Sequence, residues 1–324
     1  MALQKLTWRL NDLLYRGSIY AFLKYRKIVK GPKYMDTQVL FFPEFPAGFN
    51  YVVRKFVGAC GVRFRPLSRI HLEELSENFF YRAYLKLFGV RSEVNRTFIY
   101  AYEDNTKSLV DVEKHVRESE GVPEGKEYRF INSGCMDISK QEVSRCMNEV
   151  FGYSTIVDPL TFDQKMVRKS DTNGIHDGEV VQGPLQASDL DDDSVYQRIV
   201  DNTAGSDMVQ DLRLVVVGQQ IPVLYRKQRP LNDRFSNTNT IVFLEEPESY
   251  FSKEELDNIR KFMGVFRLDI CEMDVLRDKN DKQIYVVDVN RTVSGPPNHL
   301  GIPKSIKAVS KIAAAFEEEF LQKW

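Results

Sequence analysis

Residues 271–297 read CEMDVLRDKNDKQIYVVDVNRTVSGPP. Two runs of alternating apolar and polar residues flank the turn-forming Asp278-Lys279-Asn280-Asp281, the pattern of a β-hairpin. Side chains alternate across a strand, so Glu272 and Asp274 share one face of the first strand and Asp288 and Asn290 share one face of the second. A hairpin that closes near Asn280 sets Asp274 opposite Asp288. Directly opposed like charges destabilise a strand pair, and a divalent cation between the carboxylates would remove that cost. Oxygen donors without His or Cys suit a hard ion such as Mg2+, which keeps waters and draws its remaining ligands from phosphates. A polar-faced surface hairpin is the plain alternative.

An acidic residue on one strand, a turn, then Asp-Val-Asn followed by Gly and Pro resembles the metal-binding signature of the ATP-grasp superfamily. The segments upstream fall in that superfamily's order, so the resemblance spans Ser139 to Pro297, about half the chain. It implies an α/β fold: an ATP-grasp domain over 131–324, an N-terminal α/β, pre-grasp-like domain over 36–130, and a basic amphipathic helix over 1–35. It also implies ATP and Mg2+, with Asp274, Asp288 and Asn290 as the metal ligands.

Composition sets the outer limits. The chain has 324 residues, 43% hydrophobic and 28% charged, with a net charge of -1. That is an ordinary globular balance with room for a real core, and it argues against a dedicated nucleic-acid binder. Cys60, Cys135, Cys146 and Cys271 lie far apart without CxxC spacing, which disfavours zinc and dithiol chemistry. The sequence has no long apolar span and no cleavable signal, so a cytoplasmic location is expected.

The first 35 residues carry eight basic side chains (Lys5, Arg9, Arg16, Lys24, Arg26, Lys27, Lys30, Lys33) against one acid, Asp12. Leu3, Leu6, Leu10, Leu13 and Leu14 follow helical spacing, as do Ile19, Phe22 and Leu23. Such a helix is expected to pack its stripe on its own domain, with peripheral membrane contact as the alternative. Thr37–Phe45, a short helix and Val62–Pro66 read as a βαβ-like opening whose Pro43–Asn50 loop lies where open α/β sheets bind ligands. Leu72–Phe88 reads as an aromatic-rich helix with Phe79, Phe80, Tyr81 and Tyr84 in the core. Arg96–Ala101 reads as a further strand, and Asp104–Lys126 as a charged stretch ending in a loop.

Ser139 and Glu142 form a capping-box pattern ahead of a helix closed by Gly152. Lys140 then opposes the helix dipole, a placement that a phosphate would explain; the resemblance gives it that role, and a solvated surface lysine is the alternative. Met166–Ser170 and Glu179–Leu185 read as strands around a loop, Asp171–Gly178. By the resemblance, Lys169 contacts ATP and the loop closes over phosphates. With only Gly174 and Gly178, this loop is poorer in glycine than the family's. It adds His176, a candidate substrate contact.

By the same resemblance Gln197, Ile199 and Val200 line the adenine, and Arg213 reaches phosphate. Asp211–Gly218 and Ile221–Lys227 read as a hairpin around Gln219-Gln220. Lys227, Arg229 and Arg234 concentrate positive charge beside it. Guanidinium groups match carboxylate and phosphate oxygens in pairs, so Arg229, Arg234 and Arg213 are the candidate catalytic residues. Arg291 and Ser294 are candidates for the second substrate.

The function this implies is an ADP-forming ligase that activates a carboxylate as an acyl phosphate for attack by an amine. Its substrates would be small molecules, glycans or peptides, and oligomerisation is open. The alternatives are a kinase on the same scaffold and a non-catalytic nucleotide-binding module at a membrane surface.

Overall fold

The structure is a computed structural model that describes residues 2–34, 36–43, 52–66, 94–103, 105–120, 127–236 and 240–324. Residues 44–50 of the Pro43 loop, the 72–88 helix and the glycine-containing end of the charged stretch lie outside the described residues, as do the side chains of the first turns of the N-terminal helix.

Three sheets organise the described residues. The first is parallel, in the order β2-β1-β3-β4: Arg63–Pro66, Thr37–Pro43, Arg96–Tyr102 and Glu127–Ile131. β1 pairs parallel with β2 across the helix α2 (Val52–Ala59), the βαβ arrangement the sequence suggests. The second is a small antiparallel sheet, β6-β5-β7, from Lys165–Ser170 (β5), Glu179–Gln182 (β6) and Ser194–Arg198 (β7). The third holds six strands. Its path is β11-β10-β9-β12-β13, from Ile241–Glu245, Gln220–Pro230, Met208–Val217, Ile270–Arg277 and Ile284–Asn290, with β8 (Thr203–Ala204) on β9. The turn of the β9–β10 hairpin falls on Gly218 and Gln219, one residue earlier than the alternation suggests; Gly218 has φ 58°, a conformation glycine takes freely.

Apolar packing joins the two halves of the chain. Phe56 and Phe98 of the first unit meet Phe316 at ring-centroid distances of 5.2 and 6.3 Å. Trp324 stands edge-on to Phe98 at 4.4 Å. The C-terminal helix Ile302–Phe316 therefore sits beneath both the parallel sheet and β9–β10, in one continuous core. Asn132 adds a polar clasp: its amide oxygen accepts from the backbones of Asp269 and Ile270 at 2.8 and 2.9 Å, and its amide nitrogen donates to the Ile270 carbonyl at 2.7 Å. The start of β12 is thereby fixed against the end of β4.

The N-terminal helix α1, Ala2–Lys30, packs on α2 and on the C-terminal helix. Ile19 is fully buried, Phe22 and Leu23 lie against the core, and Arg26 Nε donates to the Ala59 carbonyl at 3.0 Å. From α2, Lys55 reaches back to Tyr15, with Nζ 3.3 Å from the hydroxyl and 5.3 Å from the ring centre. Burial pushes the Lys55 ammonium down to about 8, against the pull of Glu272.

That depression gives a stability prediction. In the unfolded chain Lys55 titrates near 10.4, so between pH 8 and 10.4 the unfolded state holds the extra proton and stability rises with pH. The cost of the buried charge is fully present below pH 8. Lys55→Met should then stabilise the protein at pH 7 by about 2 kcal/mol and flatten the rise on the alkaline side. Urea unfolding at pH 7 and pH 10 measures both; a variant less stable at pH 7 refutes the account.

Candidate active site

The register of the β12–β13 hairpin sets the centre of the site. Asp274 pairs with Asp288 and Glu272 with Asn290, as the alternation requires. The ladder shifts between Asp274 and Val275: Val275 pairs with Val286, which leaves Val287 as the extra residue of a β-bulge. Val287 and Asp288, neighbours in sequence, consequently both line a single cavity between the small sheet and the large one.

The opposition of the two carboxylates is relieved by protein cations. Arg213, from the neighbouring strand β9, makes a paired contact with Asp274, Nε–Oδ1 2.9 Å and Nη2–Oδ2 2.6 Å. Lys227, from β10 and almost wholly buried, donates to Asp274 Oδ1 at 2.9 Å. Burial works to raise the Asp274 carboxyl, and Arg213 and Lys227 overcome it and hold the group well below the usual carboxylate range. The same pairing holds the Arg213 guanidinium above its ordinary value against the cost of burial. Among the described residues Asp288 makes no such ion pair: burial first, then the Asp274 charge, raise it against the pull of Lys140, Arg213 and Lys169. Asn290 Nδ2 donates to Asp288 Oδ2 at 3.1 Å.

The small sheet supplies the facing wall. Lys169 on β5 and Lys140 at the start of the Lys140–Phe151 helix both line the cavity. Ser139 caps that helix by accepting from the Glu142 backbone at 3.3 Å. Lys140 Nζ donates to the Thr172 carbonyl at 2.8 Å and lies 3.5 Å from Asn173 Oδ1, so it ties down the 171–178 loop. Asn173 itself donates to the Ile138 and Val289 carbonyls at 3.0 and 3.3 Å, linking the loop to the metal-candidate strand. Burial lowers both lysines, Lys169 to about 8 with Lys140 as the second cause. The loop crosses the cavity mouth, and exposed His176 lines it with φ 58°.

Gln197, on β7, and Ile199 and Val200, just after that strand, line the same cavity. Gln197 is buried and donates to the Thr155 hydroxyl at 2.8 Å, so its side chain is spent on the protein. Arg229 and Arg234 line the same cavity. Arg229 Nη1 contacts Asp211 Oδ2 at 2.6 Å, and its Nε and Nη2 donate to the Arg234 carbonyl at 2.9 and 2.6 Å; Arg234 Nη2 donates to the Val200 carbonyl at 3.1 Å and to Asn202 Oδ1 at 3.2 Å. These two guanidiniums brace the 200–202 segment, and the cations beside Asp274 are Arg213 and Lys227.

Arg291 corrects the sequence reading. It is 1% exposed and is absent from the cavity lining. Its guanidinium donates to the carbonyls of Cys135 and Asn105 and lies 3.5 Å from Glu103. The chain leaves the sheet after Asn290, and Arg291 turns inward to hold the N-terminal half. Ser294 bonds through its backbone and hydroxyl to buried Glu272, each at 3.2 Å, and lies outside the cavity lining as well. The sequence reading passed over Asp211, whose signal was its place two residues before Arg213, and the apolar wall of Leu276 and Val287.

The donor set fits a hard cation in kind: two carboxylates and one amide oxygen, all oxygen ligands on one hairpin face. Among the described residues no group of three or more His, Cys, Asp or Glu gathers, so such an ion would need Asn290, water or a bound phosphate to complete its shell.

No family model matches the sequence, and no curated protein matches it. Solved structures do. The ATP-grasp ligase PsnB, complexed with a minimal precursor, aligns over 88% of this chain and 98% of its own, with a TM-score of 0.50 at 14% identity. The D-alanine–D-alanine ligase of Bacillus anthracis complexed with ATP aligns over 89% and 98%, with a TM-score of 0.47 at 14% identity. The macrocyclase MdnC of Microcystis aeruginosa, bound with precursor peptide MdnA, aligns over 86% and 99%, with a TM-score of 0.45 at 14% identity. The likeness to PsnB carries the conclusion that the chain has the mixed α/β fold of an ATP-grasp ligase.

Proposed function

We propose that this protein uses Mg-ATP to join a carboxylate to an amine, releasing ADP and phosphate. The observation that carries the reading is the meeting, in one cavity, of Lys140, Lys169, Arg213 and Lys227 with the opposed Asp274 and Asp288. Phosphoryl transfer asks little of a protein beyond positioning and charge neutralisation, and this set supplies both.

Asp274, Asp288 and Asn290 would hold Mg2+, which when bound neutralises phosphate charge. Lys169 would bind phosphate, with Lys140 holding the loop that excludes water. The aliphatic walls of Leu276, Val287, Ile199 and Val200 would take the base, and Arg229 and Arg234 brace the 200–202 segment that borders it. Arg213 would face the transferring group from its seat on Asp274. A carboxylate oxygen attacks the γ-phosphorus and ADP leaves; the amine then attacks the acyl carbon, phosphate leaves, and the amine loses a proton as the amide C–N bond forms.

The products test this. The protein incubated with ATP, Mg2+ and pooled carboxylates and amines should yield ADP, an equal amount of free phosphate and a condensed product. ADP without free phosphate would instead assign a kinase, and no ADP under any pool would remove catalysis from the reading.

A further inference from the structure

α1 has two apolar faces, and the described residues cover one. At 100° per residue, the docked side chains Ile19, Phe22, Leu23 and Arg26 occupy an arc of about 100°. Tyr20, Leu13, Ile28, Leu14 and Tyr25 fall in an opposite arc of about 140°, all exposed, Ile28 to 74% and Leu13 to 67%. A contiguous apolar stripe left in water marks an interaction surface. We propose that this outward face of α1 seats the protein on an anionic lipid surface.

Charge selects the occupant. From Leu13 to Lys33 the sequence contains no acidic residue, and Arg16, Lys24 and Lys27 are exposed on or beside the stripe. The Lys24 ammonium lies 5.1 Å from the centre of the Tyr20 ring, and its stem runs along the apolar surface as an interfacial lysine's does. A second copy of the chain would bring these same cations against themselves with no acid on the face to offset them. A basic, amphipathic helix of 29 residues suits the plane of a headgroup layer. No helix among the described residues is long and apolar enough to cross a membrane, so the contact is one that lies on the surface.

The test uses the full chain and vesicles of phosphatidylcholine with or without phosphatidylglycerol. The protein should sediment with the anionic vesicles, weakly with the neutral ones, and less as salt rises. Leu13→Glu/Ile28→Glu and, separately, Lys24→Glu/Lys27→Glu should each lower the partition coefficient about tenfold. ATP turnover without vesicles should stay unchanged, since none of these residues lines the cavity. Near-ultraviolet circular dichroism monitors the fold, and Ile28→Ser alone carries the test if a double variant unfolds. Absence of binding to anionic vesicles, equal binding by both double variants, or a dimer that Leu13→Glu/Ile28→Glu dissociates in place of vesicle binding would overturn the proposal.

Discussion

Asp288→Ala is expected to leave a folded protein whose ATP turnover with Mg2+ falls about 1,000-fold or more, the scale of losing a ligand to charge that develops in the transition state. The geometry separates catalysis from stability. Asp274 is neutralised by Arg213 and Lys227 whatever happens at Asp288. Asp288 is raised by burial and by Asp274, so its charge is a cost to the empty fold and its removal should change stability by only about 1 kcal/mol. Asn290→Ala should act in the same direction, since it removes the amide oxygen and the bond to Asp288. Steady-state ADP release alongside urea unfolding checks both halves. Activity within a few-fold of the parent in Asp288→Ala would withdraw the metal assignment.

Lys169→Ala should weaken nucleotide binding by about 10- to 100-fold, the range for a charge-assisted hydrogen bond to phosphate, and leave the choice of carboxylate unchanged. Its neighbour shows why this lysine matters more. Lys140 is committed to the Thr172 carbonyl, whereas Lys169 has no hydrogen-bond partner among the described residues. Its nearest charges are Lys140, Asp288 and Asp177, so the group remains open to an incoming anion. Calorimetric titration with a non-hydrolysable ATP analogue measures the loss. Unchanged affinity, or a changed carboxylate preference at equal affinity, would take Lys169 out of the nucleotide site.

What was legible in the sequence followed local rules. Alternation alone put Asp274 opposite Asp288, because a hairpin's register depends on its own turn and its own side chains. The helix start at Ser139 was visible because a cap is a matter of three or four residues. The partner of Asp274 was hidden. Arg213 meets it only because β9 lies beside β12, a pairing between segments far apart in sequence. The alternation showed the opposed carboxylates but not the guanidinium and the ammonium that the fold sets against one of them. Arg291 was hard to place for a related reason. A basic residue near a presumed site looks the same in sequence whether it faces substrate or, as Arg291 does, holds buried carbonyls. The return of Trp324 and Phe316 to pack on Phe98 was equally hidden, because it joins segments far apart in sequence.

The extra residue at Val287 has a mechanical consequence. A regular strand offers a ligand every second side chain, so two contacts on one face are separated by a residue that belongs to another environment. The bulge lets Val287 and Asp288 reach the same space from consecutive positions. In the proposed reading, one rigid peptide plane would then carry both the apolar contact for the base and the oxygen for the ion. The two would hold a fixed spacing: whatever shifted one end of a bound nucleotide would carry the grip on its phosphates along with it.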